Sequence, residues 1–238
     1  MNLPEWILLY VVTFVAAVIR GAVGMGFALI VIPFYLLIDA EMVPSTIIML
    51  ALVLSGLVVI RDRRALDTRG LSYSLLGRFV GSVPVMLFIS YLTGRLFDIV
   101  IACFILIAIG MSLMSVRIDL NRRSLFLAGF GSGVMGTLSS LDGPPIALLY
   151  QHQKGEVIRA TLAGYFIIGS LISLAVLACA GRVTLHSVYA FLILLPPTIL
   201  GFILSRWLIG YLKESVTRYA ILSISGASAL LILGKSLL

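Results

Sequence analysis

Two short interruptions of apolar sequence hold the residues of this chain best suited to chemistry. The first runs Arg20-Gly21-Ala22-Val23-Gly24-Met25-Gly26-Phe27-Ala28, with Pro33 just beyond. The second runs Gly129-Phe130-Gly131-Ser132-Gly133-Val134-Met135-Gly136, followed by Ser139-Ser140-Leu141-Asp142-Gly143-Pro144-Pro145. Glycine admits close backbone approach and unusual dihedrals, so Gly24, Gly26 and Gly143 mark places where a helix stops and restarts. Helices restarting near Phe27 and Pro145 present N–H groups without intrahelical acceptors, at a dipole end of about half a positive charge. Proline there gives up only an N–H that has no partner anyway, which suits Pro144 and Pro145. Two such N-termini facing one another bind an anion without a buried lysine. Gly24, Met25, Gly26, Ser139, Ser140, Asp142, Gly143 and Pro144 are therefore candidate substrate-binding residues, with the serine hydroxyls as added donors to an oxyanion.

Two arginines complete the set. Arg78 lies deep inside an apolar run, and Arg20 stands just before the first break. Ionisable residues within a membrane face the bundle interior and mark pathways. Arg78 serves either as an attractor of the anion or as a structural partner for an acid or for free carbonyls. Arg20 has the same two roles open, or a place against lipid headgroups. Asp142 is the obvious partner for Arg78 and a candidate carrier of a coupling proton, because a carboxylate repels an anion unless it is protonated or paired. The spacing Gly129-xxx-Gly133 fits close helix packing instead. No metal or cofactor is expected.

The rest of the chain places these residues in a bilayer. Of 238 residues, 61% are hydrophobic and 11% charged, which excludes a soluble domain. Apolar runs of membrane length recur at residues 43–60, 71–92, 96–116, 158–180, 187–205 and 215–233. The net charge of +7 is spread between these runs, as positive-inside loops require, so no nucleic-acid partner is expected. Met1-Asn2-Leu3-Pro4-Glu5-Trp6 lacks a basic run and a clear cleavage site, and no removed signal peptide is expected. Cys103 and Cys179 read as small core hydrophobes, His152 and His186 as solvated loop residues, Asp39 and Glu41 as parts of an outer loop. Within lipid, backbone that leaves the helix must be buried in protein or line a polar cavity. Paired breaks in two halves are the sequence pointer to a transporter's substrate site.

The chain reads as one membrane transport domain, residues 1–238, made of repeats 1–118 and 119–238. Gly21 matches Gly136, Glu41 matches Glu156, Thr46 matches Thr161 and Ser55 matches Ser170. Further on, Gly81 matches Gly201, and Tyr91-Leu92 matches Tyr211-Leu212. Arg61, Arg63, Arg64, Arg69, Arg117, Arg122 and Arg123 belong inside, with Asp39 and Glu41 outside. In the second half Lys154, Arg159, Arg206, Lys213 and Arg218 also belong inside, and Arg182 and His186 outside. This assignment requires residues 124–151 to enter and leave on one side, and by analogy residues 6–38 form a hairpin entering from outside. The expected fold is an all-α polytopic membrane protein. Each half is a broken, re-entrant helical hairpin plus three transmembrane helices, and the halves are inverted. Parallel repeats, with a kinked single crossing in each half, are the alternative.

The glycine-rich first break, the second break ending Ser139-Ser140-Leu141-Asp142-Gly143-Pro144-Pro145 and the duplicated halves resemble the sulfite exporter TauE/SafE family of membrane permeases. Where that family often carries three consecutive glycines, this chain has Gly24-Met25-Gly26. The resemblance implies transport of sulfite, organosulfonates or related small anions, carboxylates included, across the bacterial inner membrane. Substrate would sit at the helix N-termini between the breaks, with access alternating between the two sides. The expected partners are the small anion, the bilayer and a coupling proton, and a homodimer stays open. An anion channel using the same site is the alternative. An intramembrane hydrolase lacks the membrane histidine, second deep aspartate or HExxH motif it needs. A purely structural subunit does not account for the paired breaks.

Overall fold

Apolar sequence that must satisfy its own backbone in lipid folds as helix. The computed structural model describes residues 2–68, 70–89, 91–92, 94–114, 118–151, 153, 155–208, 222–223, 225–227, 229–231 and 233–234, with no strand among them. The helices are α1 (Leu3–Val23), α2 (Phe27–Ile38), α3 (Ser45–Asp62), α4 (Leu71–Phe88), α5 (Arg95–Leu113), α6 (Arg122–Ser139), α7 (Gly143–Tyr150), α8 (Gly155–Cys179) and α9 (Leu185–Leu208). Short 3-10 turns follow α2 at Ala40–Met42 and α3 at Arg63–Ala65. The described residues between 222 and 234 are also helical, and Ser225 donates to the Leu29 carbonyl at 2.8 Å.

Among the described residues six segments are long and apolar enough to cross a bilayer: Leu3–Val23, Ser45–Ala65, Leu71–Phe88, Arg95–Leu113, Gly155–Cys179 and Leu185–Leu208. Leu76, Phe79, Val83 and Leu87 of α4 are exposed along its outer side, as a lipid-facing surface requires. The chain is a multi-pass membrane protein. Leu3–Val23, covering the first arm of the hairpin expected over residues 6–38, is itself of spanning length at 21 residues. The expected run 215–233 lies mostly outside the described residues, as do Arg69, Arg117, His152, Lys154, Tyr211, Leu212, Lys213 and Arg218. Among the described residues Cys103 and Cys179 are exposed and free rather than buried in the core.

Close glycine contacts set the packing. A Cβ on Gly77 or Gly81 of α4 would meet the carbonyls of Phe126 and Phe130, and one on Gly129 or Gly133 of α6 those of Ser74 and Arg78. Residue numbers rise together along both helices, so α4 and α6 run parallel, with small-xxx-small spacing on each side of the contact. The helices α1 and α9 pack in the same manner: Gly201 abuts Phe14 and Ala17, and Gly21 abuts Ser205. Between these pairs α3 and α8 run antiparallel. Asp62, ending α3, meets Arg159 near the start of α8 at 3.3 Å, whereas Ser45, starting α3, donates to the Arg182 carbonyl beyond the end of α8 at 2.7 Å.

The two ends of the bundle differ in charge. One end gathers Arg61, Arg63, Arg64, Arg122, Arg159 and Arg206 at the ends of α3 and α9 and the starts of α6 and α8. At the other, Arg182 NH2 caps the Ile89 and Leu92 carbonyls at 2.7 and 3.2 Å. There His186 is not a free loop residue: its Nε2 lies 2.7 Å from Asp39 Oδ2, tying the end of α2 to the start of α9.

Candidate functional site

The first break is made by two left-handed glycines. Gly24 (φ 96°) ends α1 and Gly26 (φ 97°) precedes α2. Side chains other than glycine rarely adopt that conformation, and a Cβ on Gly24 would also lie 2.6 Å from Arg159 Cγ. The turn folds α2 back along α1, with Thr13 Oγ1 and Tyr35 Oη 2.7 Å apart. No side chain caps the start of α2, so the N–H groups of Phe27, Ala28 and Leu29 open at the break.

The second break is built from side chains. Ser140 takes the left-handed conformation (φ 66°) without being glycine. It holds this strained geometry by donating its hydroxyl to the Pro44 carbonyl, 3.1 Å away at the start of α3. Gly143 begins α7 in ordinary helical conformation, and Pro144 and Pro145 leave that first turn with a single free N–H. Asp142 lies beside α6, with Ser132 Oγ donating to its carbonyl at 2.7 Å.

A cavity joins the breaks. Arg20, Met25, Gly26, Leu29, Ser140, Asp142, Gly143 and Pro144 line it together with Ser112, Leu141 and Phe166. Its volume is about 30 Å³, far below the several hundred Å³ of an ordinary ligand pocket. Three expected residues, Gly24, Ser139 and Arg78, stand off the wall, and Gly24 faces Arg159 instead. Ser139 spends its hydroxyl on the Met135 carbonyl one turn back, at 2.6 Å. Arg78, 1% exposed, sits behind the cavity and holds Asp142 Oδ2 from NH1 at 3.0 Å. Arg78 also donates to Ser132 Oγ at 3.1 Å and Ser173 Oγ at 3.2 Å, and its guanidinium lies 5.3 Å from the Tyr165 ring centroid.

Arg20 is placed differently. It is 5% exposed and lines the cavity itself. Its NH2 donates to Ser55 Oγ at 2.7 Å and its guanidinium lies 5.0 Å from the Phe166 ring centroid, while Nε has no hydrogen-bond partner. Among the described residues no carboxylate lies within salt-bridge distance of it. Asp142 is balanced by Arg78, so the positive charge of Arg20 is the excess at this site.

Sequence reasoning missed the residues that position Arg78. Tyr165, Gly169 and Ser173 recur every four residues on α8 and so share one face, a spacing that was available as a signal. A Cβ on Gly169 would collide with the Arg78 guanidinium, and one on Gly136 with Asp142 Cβ at 2.6 Å. Ser112 and Phe166 carried no motif and reach the cavity only through the packing of α5 and α8.

Compared with known proteins, the chain matches a family model described as Sulfite exporter TauE/SafE over residues 9–232. No curated protein and no solved structure matches it.

Proposed function

The chain belongs to the sulfite exporter TauE/SafE family, and from that premise we propose that it carries a small oxyanion, bound between the two breaks on Arg20 and the N-terminus of α2. The observation that carries this reading is the buried guanidinium of Arg20, without a salt-bridge partner among the described residues, on the wall of the cavity that joins both breaks. A planar guanidinium donates two parallel hydrogen bonds to an oxyanion, and low dielectric strengthens each of them. The free N–H groups of Phe27 to Leu29 and the Ser112 hydroxyl supply further donors. Phe166, on the same wall, steadies the Arg20 guanidinium. Asp142 does not repel the anion while Arg78 neutralises it.

At about 30 Å³ the cavity falls far short of an ordinary ligand pocket, so the walls must part to load the anion. Movement of the hairpins α1–α2 and α6–α7 against α3 and α8 gives alternating access. Inverted halves suit that motion: α3 and α8, equivalent in the two repeats, run antiparallel, and α4–α6 mirrors α9–α1. With the arginine-rich end in the cytoplasm of a bacterial inner membrane, both hairpins re-enter, one from each side. Cysteines at Gln153 and Ser187 then label from opposite faces, and outside labelling of the first would overturn the inversion.

The test is flux in proteoliposomes with labelled sulfite, thiosulfate, sulfonates and short carboxylates, with and without a pH gradient. Saturable flux of one of them, lost in Arg20→Gln protein that still folds, is the expected result. Flux far above about a thousand ions per second, beyond ordinary turnover rates, would favour a channel over a carrier.

A further inference from the structure

A second cavity, of about 630 Å³, opens at the arginine-rich end of α3. That is the size of a small-molecule pocket. Arg61, Arg63, Arg64 and Arg159 line it against Asp62 and Glu156, an excess of two positive charges. Asp62 is shared: Oδ1 meets Arg61 Nε at 3.0 Å, and Oδ2 meets Arg61 NH2 at 3.0 Å and Arg159 Nε at 3.3 Å. Arg61 NH1 is buried without a hydrogen-bond partner. The same two arginines hold the first break. Arg61 NH2 donates to the Gly21 carbonyl at 2.8 Å, and Arg159 packs its side chain on Gly24.

We infer that this basin is a second oxyanion site, where the transported anion is collected before it reaches Arg20. There it competes with the Asp62 carboxylate for Arg61 and Arg159. An oxyanion offers those arginines the same acceptor atoms that Asp62 does, and reaches Arg61 NH1 as well. Once the anion takes over, Asp62 no longer ties α3 to α8, and Arg159 is drawn from Gly24 toward the basin. Loading the basin therefore loosens the first break, whose Met25 and Gly26 line the inner cavity. Arg63 and Arg64 are exposed and contribute at longer range, a contribution that salt screens. The inference rests on the proposed inner site only for the identity of the anion.

The experiment is isothermal titration of detergent-solubilised Arg20→Gln protein with sulfite, which isolates the basin from the inner site. Saturable binding is expected to persist there. The paired substitution Arg63→Gln/Arg64→Gln should weaken it about threefold at low ionic strength, and less as added salt screens the lost charge. Asp62→Asn should tighten it, by removing the competitor. Absence of sulfite binding in Arg20→Gln protein, where the unsubstituted chain binds, would overturn the basin while leaving the inner site intact. Unchanged affinity in both further variants would overturn it too. A lipid phosphate is the other source of the same chemistry. If phosphatidylglycerol abolishes sulfite binding where phosphatidylcholine does not, the basin belongs to headgroups and its loading role fails. Failure of the inner site is read separately, as sulfite flux that survives Arg20→Gln.

Discussion

The two breaks each join a long helix to a shorter one, α1 to α2 and α6 to α7, and solve the same backbone problem by opposite means. The first uses glycine alone: Gly24 and Gly26 turn the chain in the left-handed conformation, and the charge beside them, Arg20, meets no carboxylate among the described residues. The second uses side chains: Ser140 is pinned to Pro44, and Asp142 is held by Arg78. A buried cation without an acid is costly unless something else supplies the negative charge. A buried pair that is complete supplies structure and no binding energy for an anion. Under the proposed function, this difference gives binding to the first break and scaffolding to the second.

Substitutions sharpen that division, and the largest loss of stability belongs at the second break. Arg78→Gln leaves Asp142 without its partner in a site where that carboxylate is only 16% exposed. A cost of about 3 kcal/mol is expected, the low end for a broken buried pair. The double variant Arg78→Gln/Asp142→Asn should recover much of it in thermal unfolding. Equal melting temperatures for the single and double variants would show that the pair carries no structure. Next comes Gly24→Ala, expected to cost roughly 1–2 kcal/mol from the left-handed backbone alone, with further loss from the collision with Arg159. At Ser140 the two effects separate. Ser140→Ala loses the bond to Pro44 and keeps the strain, for about 1 kcal/mol, whereas Ser140→Gly relieves the strain and should unfold at a higher temperature than Ser140→Ala. The smallest effect belongs to Gly131→Ala, whose Cβ would find only ordinary contact with Pro145 at 3.8 Å; a change within about 0.5 kcal/mol is expected.

Both breaks were legible in the sequence because glycine clusters and a proline pair have few other uses in apolar helices. Pairing of Arg78 with Asp142 was legible too, since a deep cation needs an acid and few were at hand. Arg20 was harder to rank against Arg78. Its sequence context fits a headgroup contact as well as a buried site, and only the packing of α3 and α8 around it decides between them. The serines show a different limit. Ser139 and Ser140 stand at the right place, but a hydroxyl in the last turn of a helix is free to bond back to the carbonyl four residues earlier, as Ser139 does. Helix pairing was only partly written in small residues. Gly129-xxx-Gly133 was visible as a packing motif, but its counterpart Gly77-xxx-Gly81 gives no sign by itself of which helix it faces. The exposed Cys103 and Cys179 follow from the same cause, because lipid-facing and helix-facing apolar surfaces have the same composition.

The most direct test compares sulfite flux in two sets of proteoliposomes, one holding Arg20→Gln and the other Arg78→Gln/Asp142→Asn. Both variants should first match the unsubstituted protein in reconstitution and helical content. If the first break binds and the second supports, Arg20→Gln abolishes saturable flux while the double variant keeps a measurable part of it. Undiminished flux in Arg20→Gln, with flux lost in the double variant, would reverse the assignment and place the anion on Arg78.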